Sequence, residues 1–368
     1  MPRYLTFSSQ HNAWALAQGL GRLGHRLEAW SDRRGWVTSA GRPPEPGDVL
    51  FFTDEQSLVK HLADSDTCRF LPRILDARLA DDKLEWARAV TAWGDVPVPF
   101  WELPASGPAA APELPVYLKA RHSWRGLRKM PRGYICRSAA DVDRALEQLT
   151  AGGWERSQFF WQRLIAGPIT NNYSVCGFAD ATDPTRSAML VVRKVLGDGP
   201  TVMSCGAVVE TVQDPAGLIP RAARLLRALN YTGPFELEFL LDLGSDQYYL
   251  LEFNPRFWMQ HGLFIDGYNN VVISRYVGLA TPAFPEGLPF RSLTWINTVD
   301  FLYRLPGMLR SDVDRRHVYL DAWRRHRAGQ TRIIWSPGVI TTIKTAVSER
   351  ARAIGLRFRR LFSRAASQ

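Results

Sequence analysis

Gly233-Pro-Phe-Glu-Leu-Glu-Phe-Leu-Leu241 and Tyr248-Tyr-Leu-Leu-Glu-Phe-Asn-Pro-Arg256 flank Gly244-Ser245 and read as the two strands of a hairpin. Alternate side chains of an extended strand share a face. Glu236 and Glu238 therefore point one way, and so do Glu252 and Asn254. Once the strands pair, three or four oxygen-bearing groups converge, and hard oxygen ligands are what Mg²⁺ prefers. Arg256, just past the strand, is placed to clamp an anionic oxygen. The same alternation also describes a half-solvated hairpin with ordinary surface carboxylates, so the Asn-Pro-Arg continuation carries the argument.

Outward from the hairpin, the chain alternates strands and helices. Tyr4 to Phe7, Leu27 to Trp30 and Asp48 to Thr53 are strand-like, and a helical stripe runs from Gln10 to Leu23. This predicts a parallel α/β unit over 1–75. Gly19-Leu-Gly21-Arg-Leu-Gly24 fits a dinucleotide-binding pattern but falls inside the helix, so it is rejected as one. Leu84, Ala87, Val90 and Trp93 share a helix face, and Val96-Pro-Val-Pro99 ends that run. Residues 115–120 read as a strand, Ser138 and Asp141 as a capping box, and 158–166, 171–178 and 189–195 as strands. Leu218 to Leu229 is a helix. The divisions expected are 1–75, 76–160, 161–285 and a basic C-terminal extension, 286–368.

Composition narrows the chemistry. The 368 residues are 46% hydrophobic and 22% charged, which excludes a disordered chain. The four Cys show no CxxC spacing, so a zinc ribbon or disulfide scaffold is not expected. No signal peptide or membrane span is visible, so the expected compartment is the cytoplasm. No GxSxG or HExxH occurs. Only six Lys are present, which makes Lys83, Lys119 and Lys194 informative. Lys119 ends a strand and precedes the basic loop 121–130, a cover suited to polyphosphate or simply a basic surface.

Taken together these segments resemble the ATP-grasp superfamily, carboxylate–amine ligase type, over roughly 75–270. The hairpin, ending in Glu252-Phe-Asn254-Pro-Arg256, is similar to the family's paired metal-binding strands. Asp82-Lys83, Val116-Tyr-Leu-Lys119, Phe160-Trp-Gln-Arg-Leu-Ile165, Val192-Arg-Lys194 and Glu210-Thr-Val occur in the family's order. The resemblance implies an α/β (α+β) fold with a preceding α/β domain and two ATP-grasp subdomains. It implies ATP and Mg²⁺ (or Mn²⁺) as cofactors. Lys83, Lys119 and Lys194 would bind the phosphates, and the backbone of Gln162, Arg163, Leu164 and Ile165 would bind adenine. Glu238, Glu252 and Asn254 would hold the metal, and Arg256 would stabilise the transferred phosphoryl group. Arg193, Gln260 and His261 are weaker substrate candidates, His261 being equally readable as a packed residue. Family members often place an acid or His on the ribose about eight residues after the adenine strand. Here that stretch is Thr170-Asn171-Asn172, and the usual Gly-rich cover is Arg/Trp-rich. The implied reaction activates a carboxylate and joins it to an amine. A non-catalytic ATP-binding protein and a phosphotransferase are the alternatives.

The charge of +10 is concentrated at the end: 304–368 holds 15 of the 46 Lys and Arg with only four acids. Val347, Ala351, Ile354, Phe358, Leu361 and Phe362 form a stripe flanked by Arg, a basic amphipathic helix over 347–364. It suits an anionic membrane surface at the inner membrane face or packing on the body. Nucleic-acid binding is disfavoured, because no recognised module accompanies the charge.

Overall fold

The computed structural model describes residues 2–7, 11–30, 37, 39–62, 69–70, 76–106, 112–126, 128–198, 204–279, 281, 284, 292–338 and 342–343. The first unit comprises β1 (Tyr4–Thr6), α1 (His11–Arg22), β2 (Leu27–Ala29), β3 (Val49–Phe51), α2 (Glu55–Leu62) and β4 (Arg69–Phe70). Its strands pair in the order β2-β1-β3-β4, all parallel. Gly19 and Gly21 lie within α1. A Cβ on Gly19 would come within 2.8 Å of the Asn270 side chain and closer still to Ile273. Gly19 thus serves close packing of α1 on α7.

The second unit comprises α3 (Lys83–Ala92), β5 (Phe100–Glu102), β6 (Val116–Ala120), β7 (Trp124–Arg125), β8 (Arg128–Lys129), β9 (Gly133–Cys136), α4 (Ala139–Ala151) and β10 (Phe159–Arg163). An antiparallel sheet, β5-β10-β6-β9, packs one face on α4, burying Val116, Leu118, Val142, Leu149 and Trp161. The Ser138–Asp141 capping box is present at the start of α4.

The third unit comprises β11 (Asn172–Ala179), β12 (Ala188–Gly197), β13 (Gly206–Val212), α5 (Leu218–Ala228), β14 (Gly233–Asp242), β15 (Gln247–Asn254), α6 (Gly262–Gly267), α7 (Val271–Tyr276), β16 (Ser292–Asn297), α8 (Thr298–Arg310), α9 (Val313–Arg327) and β17 (Thr331–Ser336). Its sheet has the order β15-β14-β11-β12-β13-β16-β17. Residues 292–336, expected as part of an appended extension, instead supply the last two strands of this sheet. The segment 347–364 lies outside the described residues. No described helix is long and apolar enough to cross a membrane.

The two faces of the large sheet do different work. Val175, Val191, Phe235, Leu237, Phe239 and Phe253 pack on α5 and α3. On the other face Cys176, Phe178, Leu190 and Val192 join α1, α6 and α7 in a core shared with the first unit. The polar residues of that second face, farther along the same strands, border the cleft.

Candidate functional site

In β14 and β15, Glu238 lies opposite Glu252 and Glu236 opposite Asn254. That register depends on a β-bulge. Toward the turn, Phe239 pairs with Leu250, so Leu251 is an extra residue. Leu250 packs on the α5 side, while Leu251 joins Val98, Ile165 and Leu240 on the cleft side. Were Leu251 paired regularly instead of bulged, it would oppose Glu238, and Glu252 would oppose Leu237 on the wrong face. The bulge therefore brings the two carboxylates together.

Around them stand four cations. Lys194 Nζ donates to Glu238 Oε2 at 2.8 Å. Lys83, in the first turn of α3, lies 3.5 Å from Glu252. Lys119, buried on β6, donates to Gln162 on β10 at 3.3 Å. Burial pushes the Lys119 pKa down, helped by Lys83 and opposed by Glu252 and Glu238. Burial would raise the Glu252 pKa, but Lys83, Lys119 and Arg256 together hold it below the ordinary carboxylate value. Glu236 is pushed up to about 7 by burial and by Glu238, with Lys194 and Arg256 opposing.

Arg256 lies at the far end of the cluster. Its Nε donates to Glu55 Oε1 at 2.6 Å, and its Nη2 approaches Asn254 Oδ1 at 3.4 Å. Glu55 opens α2, at the carboxyl end of β3, the edge where parallel α/β sheets bind ligands. Sequence reasoning missed it. The available signal was the acidic Asp54-Glu55 directly after a parallel strand. Asn172 was read only in connection with a ribose; its Nδ2 instead donates to Glu238 at 3.4 Å.

The other expected residues are placed as follows. Arg163 pairs with Asp242 at 2.6 Å and lies over the Tyr249 ring. The backbone N–H groups of Arg163 and Leu164 donate to Pro99 and Pro115, so these two donors are already engaged. Ile165 is buried with Val98, Leu240 and Leu251. Arg193 is on the opposite face from Lys194, cross-strand from Tyr173 and ion-paired with Glu210. Strand alternation separates the two neighbours. His261 is buried, with its Nδ1 on the Trp258 carbonyl, and burial lowers its pKa to about 4. Gln260 is also buried, next to Gly206.

The basic loop is pinned. Arg121 pairs with Asp82, Arg125 with Glu155 at 3.0 Å, and Arg128 stacks on Trp154. A cavity of about 500 Å³, lined among others by Tyr117, Arg132, Asp198 and Ser204, opens between the two sheets. A larger cavity, about 1020 Å³, lies on the α5 side among Val191, Leu226 and Tyr231, away from the charged cluster. Glu238 and Glu252 with the Asn254 amide suit a hard divalent cation that brings further oxygen ligands with it. Among the described residues no three His, Cys, Asp or Glu side chains are grouped to hold a metal by themselves.

The fold is similar to that of several solved enzymes. N5-carboxyaminoimidazole synthetase from Staphylococcus aureus aligns with TM-score 0.59 and 12% identity over 84% of this chain and 86% of that one. Biotin carboxylase from Campylobacter jejuni, complexed with β,γ-ATP, gives 0.57 and 16% over 79% and 74%. Carboxyaminoimidazole ribonucleotide synthase from Aspergillus clavatus, complexed with ATP, gives 0.52 and 15% over 77% and 78%. At these identities the likeness establishes the fold. No family model and no curated protein matches the chain.

Proposed function

We propose that this chain, whose fold is that of the ATP-grasp superfamily, is an ADP-forming ligase that joins a carboxylic acid to an amine. The observation that carries the reading is the facing pair Glu238 and Glu252, ringed by Lys83, Lys119, Lys194 and Arg256 in one cleft. Cations converging on paired carboxylates suit the binding of polyphosphate with a divalent metal. Lys83 and Lys119 hold the phosphates of ATP, and Glu238, Glu252 and Asn254 hold Mg²⁺ or Mn²⁺. The metal, when bound, offsets charge on the phosphates.

The chemistry is a double exchange. A substrate carboxylate oxygen attacks the γ-phosphorus and the bond to ADP breaks. The amine nitrogen then attacks the acyl carbon of the acyl-phosphate. Phosphate leaves, the nitrogen loses a proton, and an amide remains. Arg256 stabilises charge on the oxygens in transfer. No protein nucleophile is needed. The acid and amine are small or polymer-linked, and the basic segment 347–364 is assigned to an anionic surface at the inner face of a membrane.

The pinned loop 121–130 favours a second reading. A cover tied to Asp82, Glu155 and Trp154 closes less freely over ATP, which suits a nucleotide-binding protein that does not turn over. A phosphotransferase would need only a hydroxyl acceptor. ADP release measured with pooled acids, amines and alcohols separates the three. Release that needs both the acid and the amine pools and falls by at least ~100-fold in Glu252→Gln is the expected result. Binding without release, or full turnover by Glu252→Gln, overturns the ligase reading.

A further inference from the structure

The outward side of α9 combines features that nothing in the ligase site uses. At helical spacing Val313, Arg316, His317, Leu320, Trp323, Arg324 and Arg327 share one side. Val313, Leu320 and Trp323 are 43%, 42% and 51% exposed. The opposite side anchors the helix: Tyr319 and Ala322 are buried, Arg315 pairs with Asp300 and Arg325 with Glu210. Every inward arginine thus has a carboxylate. Arg316, Arg324 and Arg327 form no ion pair among the described residues, and the exposed acid at the edge of their side, Asp321, pairs with Arg325.

We propose that this face docks the protein on an anionic lipid surface. Aliphatic residues and a Trp set among arginines are the composition of helices that lie in a membrane interface, apolar groups in the acyl boundary and cations at the headgroups. Charge complementarity selects this occupant over the others. A second copy on a two-fold axis would set the three arginines against their own images. The chain's own end, residues 344–368, has seven Lys and Arg against one Glu and is repelled in the same way. Nucleic acid would match the charge and could stack a base on Trp323, but it brings nothing apolar to cover Val313 and Leu320. The assignment is independent of the ligase reading.

The test is co-sedimentation of the full chain with phosphatidylcholine vesicles, with and without phosphatidylglycerol. The wild type should bind only the anionic vesicles, less tightly as salt is raised. Leu320→Ala with Trp323→Ala should lower partitioning roughly tenfold. Arg316→Glu with Arg324→Glu and Arg327→Glu should lower it by roughly a hundredfold, while the matching Arg→Lys set keeps it. Unchanged melting temperatures show that the variants fold. Equal binding to both vesicle types overturns the proposal. So does wild-type binding by both loss variants, a dimer that the variants break, or an oligonucleotide bound more tightly than vesicles through the same residues.

Discussion

Arg256 carries a full charge into a position only 18% exposed, and Glu55 is its counter-ion. Desolvated guanidinium groups keep a fixed orientation only when a carboxylate holds them. Glu55 belongs to the first unit and Arg256 to the third, so the contact also registers one unit on the other. Within the ligase reading, Glu55→Ala should lower kcat at least ~10-fold and leave KM for ATP nearly unchanged, because Lys83, Lys119 and Glu252 are untouched. Glu55→Asp should recover part of the loss. Steady-state kinetics decide it: a raised KM for ATP with unchanged kcat would refute the positioning role. At this scale the sequence was informative where residue type is costly to misplace. Glu238, Glu252, Asn254, Lys119 and Lys194 do converge. Arg193 and Lys194 could not be ranked from adjacency, because only strand pairing decides which of two neighbours faces the cleft. Glu55 was marked only by its place after β3, since its partner is 201 residues away and leaves no local pattern.

Elements were legible where pattern is local. The hairpin, the capped helix α4 and the amphipathic α5 declare themselves by alternation, cap residues and helical period. The bulge at Leu251 does not, since it is a property of two strands together. Nor do β16 and β17, whose pairing is set by what α8 and α9 carry between them. Gly177 shows how tightly the sheet depends on one residue type. It sits in β11 at φ 153, and a Cβ would overlap the Ala188 carbonyl oxygen of the paired strand at 1.8 Å. That obstacle is backbone and cannot rotate away. Gly177→Ala should therefore separate β11 from β12 locally and destabilise the fold by ~3 kcal/mol or more. The expected readout is loss of soluble protein or a markedly lower urea midpoint, and a midpoint equal to wild type would show that the strands yield.

For the molecule as a whole, the seam between the first unit and the rest decides whether the cleft can form. Phe51 packs on Phe257 and Tyr276, the Tyr276 hydroxyl donates to the Leu50 carbonyl, and α1 fits against α6 and α7 at Gly19. One apolar core runs through both units, so neither buries its surface alone. Heat should unfold the chain in a single cooperative transition rather than unit by unit. Asn270 allows a clean test. Its Nδ2 donates to the Gly19 carbonyl at 2.7 Å inside the seam, and its backbone has φ 59. Asn270→Gly removes the bond without asking a bulkier residue to adopt a left-handed conformation. The Gly19 carbonyl then loses that partner, at a cost of ~1–3 kcal/mol. Because the seam belongs to both units, calorimetry should show one peak moved to lower temperature. A second, earlier peak would mean that the first unit melts by itself, and that Glu55 holds Arg256 only as long as an independent domain happens to stay docked.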